Sequence, residues 1–296
     1  MRFTRPSFVA AAAVGSAAAA LARGARPALR VSEHVHPWPS LERPLRVVHL
    51  SDVHAGPTTP RALLDEVVET AHRLAPDLLC LTGDYVNAGR RFLPRLAEWV
   101  ERLPGDKLAV LGNHDHLAGA EAVTEALTAG GAEVLRNRAV VRAGLTVVGV
   151  DDGFTRRDDV VAAFAGVESP ERALVLAHFP PTAEKVASVG GRLVLAGHTH
   201  AGQVELPRGW SERLGVWVGL GPYLRGPFRF GEGTQLYVNA GLGHARRGMR
   251  RGEACRPELA VFDLVGDETA GLPSPEGQPS PWALARASAR SASSFG

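Results

Sequence analysis

Short apolar runs recur along the chain at residues 46–50, 78–82, 107–111, 145–150, 173–177 and 192–196. Between them, residues 61–74, 92–103, 118–129, 158–164 and 182–189 carry apolar positions at helical spacing. An unbroken run of roughly 4–8 apolar residues suits a strand covered on both faces. Strands alternating with helices of this length predict an α/β fold whose helices cover a largely buried sheet. Beyond residue 200 the pattern changes. Residues 202–206, 234–240 and 258–264 read as strands, joined by loops rich in glycine, arginine and aromatic residues. Residues 23–44 are rich in proline and arginine and read as a linker or an edge segment. From 266 to 296 proline, serine and alanine dominate, the composition of a disordered tail. No internal repeat is present, so one domain at 45–265 is expected.

The first 22 residues stand apart. Arg2 and Arg5 precede an uncharged, alanine-rich stretch of 15 residues, 8–22, which closes on Ala20-Leu21-Ala22 before Arg23. A basic start, a short apolar segment and a small-residue close are the layout of an export signal, or of an N-terminal anchor if it is retained. The expected location is therefore outside the cytoplasm, in the periplasm or cell envelope.

Bulk composition adds exclusions. In 296 residues, 45% are hydrophobic and the net charge is +2, which excludes disorder throughout. After the leader no apolar run approaches the roughly 18–20 residues that would span a bilayer. Two cysteines, Cys80 and Cys255, exclude a disulfide scaffold. With 33 basic and 31 acidic residues there is no field that calls for nucleic acid.

The chemistry lies where strands end. Residues 46–50 run into Ser51-Asp52-Val53-His54, 78–82 into Gly83-Asp84, and 107–111 into Gly112-Asn113-His114-Asp115. Residues 173–177 run into His178, and 192–196 into Gly197-His198-Thr199-His200. In an α/β sheet the carboxyl ends of neighbouring strands converge on one crevice, which is where ligands bind. A polar cluster closing an apolar strand has no cheap structural explanation, and five of them share this chain. Carboxylate, amide and imidazole without thiolate suit manganese, iron or zinc better than a softer metal. Seven candidate ligands exceed what one ion needs if water must also bind, and a pair of ions sharing one carboxylate fits the count. His49 and His72 fall on a strand and a helix and read as packing or surface residues. His34 and His36 lie in the linker. His116 and His244 flank the motif loops.

The series Asp52-x-His54, Gly83-Asp84, Gly112-Asn113-His114-Asp115, His178, Gly197-His198-Thr199-His200 resembles the calcineurin-like metallophosphoesterase superfamily, over about residues 45–265. The resemblance implies a four-layer αββα sandwich. It also implies that Asp52, His54 and His200 hold one metal, that Asp84 bridges, and that Asn113, His178 and His198 complete a second site. His114 is then the non-ligand histidine facing the leaving group, oriented by Asp115. Residues 197–207 and 237–264 are similar to the YkuE/YaeI-like bacterial branch, whose members are exported or membrane-associated and include some UDP-2,3-diacylglucosamine pyrophosphatases. Ala201 stands where that branch often has glycine, and Asn87 where an aspartate often follows the bridging motif.

The expected function is hydrolysis of a phosphomonoester, phosphodiester or pyrophosphate bond by direct attack of water activated by two divalent ions, manganese first, with iron or zinc as alternatives. No nucleophilic serine or cysteine signature is present, so no covalent intermediate is expected. Residues 210–230, with Trp210, Trp217, Tyr223, Phe228, Phe230, Arg225 and Arg229, and the basic cluster at 246–251 suit an amphipathic lipid-linked substrate or a membrane surface. The competing reading of those residues is a loop packed on the sandwich edge with solvated arginines. The alternative function is a catalytically silent metal- or phosphate-binding module of the same fold. Loss of a ligand would mark it, and none is missing.

Overall fold

The computed structural model describes residues 28–87, 89–202, 222–230, 233–244, 250 and 252–266. The leader at 1–22, the tail from 267 on, Trp210, Trp217 and most of the 246–251 cluster lie outside the described residues. So does the strand expected at 202–206, from residue 203 on.

Among the described residues, twelve strands form two mixed sheets of six. In the first, β2 (Leu45–Leu50), β3 (Leu78–Thr82), β4 (Asp106–Val110) and β5 (Ala132–Val134) are parallel neighbours. Strand β12 (Glu258–Val265) lies antiparallel to β2, and β1 (Arg30–Pro37) runs parallel to β12 at the edge. In the second sheet β7 (Leu145–Gly149), β8 (Ala173–Leu176), β9 (Leu193–Ala196) and β11 (Thr234–Val238) are parallel. The antiparallel strands β6 (Arg138–Arg142) and β10 (Gly226–Phe230) close its edges.

Alternation along each strand assigns its side chains to two cores. Val47, Cys80, Leu108 and Val110 of the first sheet meet Val147, Leu174, Leu176 and Leu195 of the second between the sheets. Their neighbours Val48, Leu79, Leu81 and Ala109 face outward, under Val67 and Ala71 of α1 (Arg61–Leu74), Leu96 and Trp99 of α2 (Leu93–Glu101), and Val123 of α4 (Ala120–Ala129). On the far side Val148, Val175 and Val194 lie under α5 (Val160–Ala163) and α6 (Thr182–Val189). Helices, sheet, sheet, helices: the fold is α/β with four layers. Covering both faces of each sheet explains why its central strands are continuously apolar instead of alternating.

The segment 23–44, expected as a linker or edge segment, contributes a full edge strand, β1. Its inward positions are Ser32, His34 and His36, while Val31 and Val35 point out and are 40% and 51% exposed. Ser32 Oγ donates to Glu258 Oε1 at 2.7 Å, and His34 stacks on Phe262 with ring centroids 5.0 Å apart. The inner face is polar, so the apolar pattern points the wrong way. Strands β5, β6 and β10 were likewise not anticipated; β6 and β10 are sheet edges with partly exposed side chains.

Candidate metal centre

Strands β2, β3 and β4 send their carboxyl ends to the same edge of the molecule as β8 and β9. The loops that leave them converge. Asp52, His54, Asp84 and His200 offer one donor atom each, all within 4.8 Å of one another, and all four residues are buried. Asp84, His178 and His198 form a second such set, so Asp84 belongs to both. His178 Nε2 lies 3.3 Å from Asp84 Oδ1, and His54 Nε2 lies 3.6 Å from Asp84 Oδ2. His200 Nε2 is 3.4 Å from Asp52 Oδ1 and 3.1 Å from His54 Nε2. Asn113 joins the second set: its Oδ1 is 2.9 Å from His198 Nδ1, which is itself 3.1 Å from His178 Nε2.

The backbone bends sharply to bring these groups together. Asp52, His54, Asp84, His198 and His200 all have positive φ, between 43° and 71°, a region that costs a non-glycine residue roughly 1–2 kcal/mol. Such strain collects where surrounding structure and function hold it in place. Ala201 is also left-handed, with φ 53°. Gly197 lets strand β9 pass close to the first motif; a Cβ there would run into Ser51 Oγ and Asp52 Oδ2. Two histidines are locked by carbonyls. His178 Nδ1 lies 2.7 Å from Thr82 O and His200 Nδ1 3.1 Å from Gly243 O, so each Nδ1 carries a proton and each Nε2 faces a carboxylate.

Electrostatics agree with that use. Burial pushes His54 down to about 3 and, helped by the neighbouring His178, His198 down to about 4. Burial, then the Arg250 guanidinium, also lowers His200. Burial opposes charge on His178 too, but the Asp84 carboxylate beside it wins and holds it up at about 10. Burial would raise Asp84, and His178 outweighs it, so Asp84 stays ionised. Among the described residues the ion pairs of Asp52 and Asp84 are with histidines alone. Buried carboxylates facing the neutral imidazoles of His54, His198 and His200, with His178 paired to Asp84, form a donor set that fits two hard-to-borderline divalent ions.

His114 reaches the site through its backbone, whose N–H donates to Asp84 Oδ1 at 2.9 Å. Its ring stands edge-on to His54 with centroids 5.0 Å apart, and its Nδ1 is buried without a partner. The expected orientation of His114 by Asp115 is corrected. Asp115 Oδ2 accepts the N–H of Asp84 at 2.8 Å and of Gly112 at 2.9 Å, and Oδ1 accepts that of Tyr85 at 2.9 Å. As the third residue of α3 (Asn113–Ala118), Asp115 reaches back to the Gly112 N–H in the manner of a capping box. It braces the turns that carry Asp84 and Asn113. Burial and the Asp84 charge push Asp115 up to about 8, yet every partner of its oxygens is an N–H donor, the surroundings of an ionised carboxylate.

Two residues were missed. Asp151 and Asp152 follow β7 and are buried. Asp151 Oδ1 lies 2.6 Å from His116 Nε2, and its Oδ2 accepts from Arg136 Nε at 3.1 Å. The signal was there: 145–150 runs into Asp151-Asp152-Gly153 just as the other strands run into their motifs, but without a histidine to mark it. His49 is a core residue, with Nε2 2.8 Å from Thr82 Oγ1, and His72 is on the surface beside the Arg102 carbonyl.

A two-sheet sandwich whose strand ends gather two histidine–carboxylate sets around one aspartate has the build of a metallophosphoesterase. Residues 45–202 match the family model of the calcineurin-like phosphoesterases, and the chain belongs to that family of hydrolases. It is 30% identical over 231 residues to the metallophosphoesterase YkuE of Bacillus subtilis, covering 74% of this chain and 78% of that one. It is 31% identical over 242 residues to the phosphodiesterase YaeI of Escherichia coli, covering 75% and 83%. With the UDP-2,3-diacylglucosamine pyrophosphatase LpxG of Chlamydia trachomatis it shares 28% over 272 residues, covering 72% and 81%. Among the described residues no helix is long and apolar enough to cross a membrane.

Proposed function

We propose that the chain hydrolyses a phosphomonoester, phosphodiester or pyrophosphate bond with two divalent ions, manganese first. Asp52, His54, Asp84 and His200 would hold one ion, and Asp84, Asn113, His178 and His198 the other. The observation that carries this reading is Asp84, one buried carboxylate shared by two donor sets. Bound there, the ions would supply an activated water and offset charge on the phosphoryl oxygens. The chain supplies the rest. Thr82 and Gly243 carbonyls hold His178 and His200 in the tautomers that face the carboxylates. Asp115 fixes the turn bearing Asp84. His114, with Nδ1 shut inside the protein, offers Nε2 as the nitrogen that protonates the leaving oxygen, an effect worth roughly 10²–10⁴-fold.

The substrate proposed is a lipid-linked or cell-envelope phosphate ester. The name of the LpxG relative and the export-type leader at 1–22 support it, and the leader supports a location in the periplasm or envelope, cleaved or anchored. The test is metal analysis of the purified full chain together with an activity panel of nitrophenyl esters, nucleotides and UDP-diacylglucosamine. Two ions per chain and manganese-dependent turnover are expected. Two bound ions with no turnover of any phosphate ester would favour the silent binding module instead.

A further inference from the structure

The loop after β7 holds an aromatic ring against the metal centre. Phe154 is 54% exposed, yet its ring centroid lies 5.0 Å from that of His198. Phe179, which directly follows His178, packs edge-on to both, 5.3 Å from His198 and 5.7 Å from Phe154. Two phenyl rings therefore flank one histidine of the second donor set. Single exposed apolar side chains are ordinary and need no explanation. This one is braced. The buried Asp152 carboxylate accepts the Phe154 N–H at 3.2 Å, and the Thr155 N–H and hydroxyl at 2.8 Å and 2.7 Å. A Cβ on Gly153 would strike Thr182 Oγ1, so the turn sits tightly on α6. A phenyl ring gains by burial, and this turn holds Phe154 more than half exposed beside His198.

The geometry points to Phe154 and Phe179 as a specificity wall that receives an apolar part of the organic group of the phosphate ester, selecting esters that carry an alkyl, acyl or aryl group within reach of the phosphorus. The assignment rests on the reading of the site as a phosphoester centre. The shared chemistry is an alkyl chain or an aryl ring lying on the two phenyl faces while the phosphoryl group occupies the donor sets. Sugar and polyol phosphates that carry no apolar substituent, whose hydroxyls would be stripped of water against the same rings, are disfavoured.

Phosphonates test this without turnover, because their carbon–phosphorus bond is not an ester. Methyl-, hexyl- and phenylphosphonate are titrated calorimetrically into the manganese-loaded full chain. Hexyl- or phenylphosphonate is expected to bind at least about tenfold tighter than methylphosphonate, given the apolar area each lays against the rings. The two compounds separate a chain-accepting wall from a ring-stacking one. In Phe154→Ala that ratio should fall below about threefold, Phe154→Trp should restore it, and Val141→Ser, on edge strand β6, should leave it as in the parent. Equal binding of all three phosphonates by the parent, or an unchanged ratio in Phe154→Ala, overturns the wall. Failure of methylphosphonate and inorganic phosphate alike to bind a protein carrying two ions would overturn the phosphoester reading beneath it.

Discussion

Replacing Asp115 by asparagine separates a structural brace from a catalytic partner. The carboxylate is buried, with two N–H donors on Oδ2 and two on Oδ1, Tyr85 at 2.9 Å and Val86 at 3.5 Å. In Asp115→Asn one oxygen becomes an NH₂ group, and in either orientation of the amide that group faces a backbone N–H. The milder orientation keeps the Asp84 and Gly112 contacts and sets NH₂ against Tyr85 N–H. One charge-assisted bond is lost, worth about 1.5–3 kcal/mol, and two buried donors lose their acceptor at about 1–3 kcal/mol each. Relaxation of the turn trims the sum, leaving about 3–5 kcal/mol. That is a large share of the roughly 5–15 kcal/mol by which domains are usually stable. Denaturant unfolding of the metal-free parent and variant measures it, and metal content after gel filtration reports whether the Asp84 turn still holds its ions. A variant within about 1 kcal/mol of the parent, with both ions retained and only kcat reduced, would refute the brace and return Asp115 to His114.

Asp84→Asn should cost both ions, because one carboxylate serves both donor sets; two ions per chain and turnover within about threefold of the parent would contradict that. His114→Ala should keep the ions and slow an alkyl phosphate ester by roughly 10²–10⁴-fold, with a much smaller loss for a nitrophenyl ester that leaves without a proton. Equal losses for the two esters would defeat the proton-donor assignment. His49 is held down to about 3 by burial, against an ordinary value of 6.5, so its contribution to stability is complete above pH 6.5 and is lost as pH falls towards 3. At about 1.4 kcal/mol per pH unit, metal-free parent should lose about 2–3 kcal/mol more than His49→Gln between pH 7 and 4.5, measured by urea unfolding at both pH values. Parallel losses in the two proteins would count against it.

How far the molecule was legible from residue order depended on whether the signal was local. The central strands and α1, α2, α4 and α6 announce themselves by period. The site follows from them, because parallel neighbours send their carboxyl ends to one edge and the polar motifs sit on those ends. The division into two sheets has no such signature, since pairing of β12 with both β1 and β2 joins segments more than 200 residues apart. Strand β1 was obscured by its polar inner face, where Glu258 and aromatic rings replace aliphatic packing. Asp115 was misassigned for a different reason. A carboxylate next to a histidine in sequence suggests a pair, but on the first turn of a helix the backbone N–H groups before it are closer partners. Asp151 and Asp152 give a weaker signal, because their strand-end motif holds no histidine to set it apart from an ordinary acidic turn.

Strand β12 has a consequence for the order of events as the chain is made. It is the last of the described strands in sequence but lies inside the first sheet, between β1 and β2. Until residue 265 has been synthesised, β1 has no neighbour, β2 has one bare edge, and the inter-sheet core lacks Ala260, Phe262 and Leu264. Contacts that bridge such sequence separations form slowly, because a long loop must close before they reward the chain. A nascent chain therefore stays open until its final strand arrives, and a truncation before Glu258 removes the seam of the sandwich instead of trimming its end.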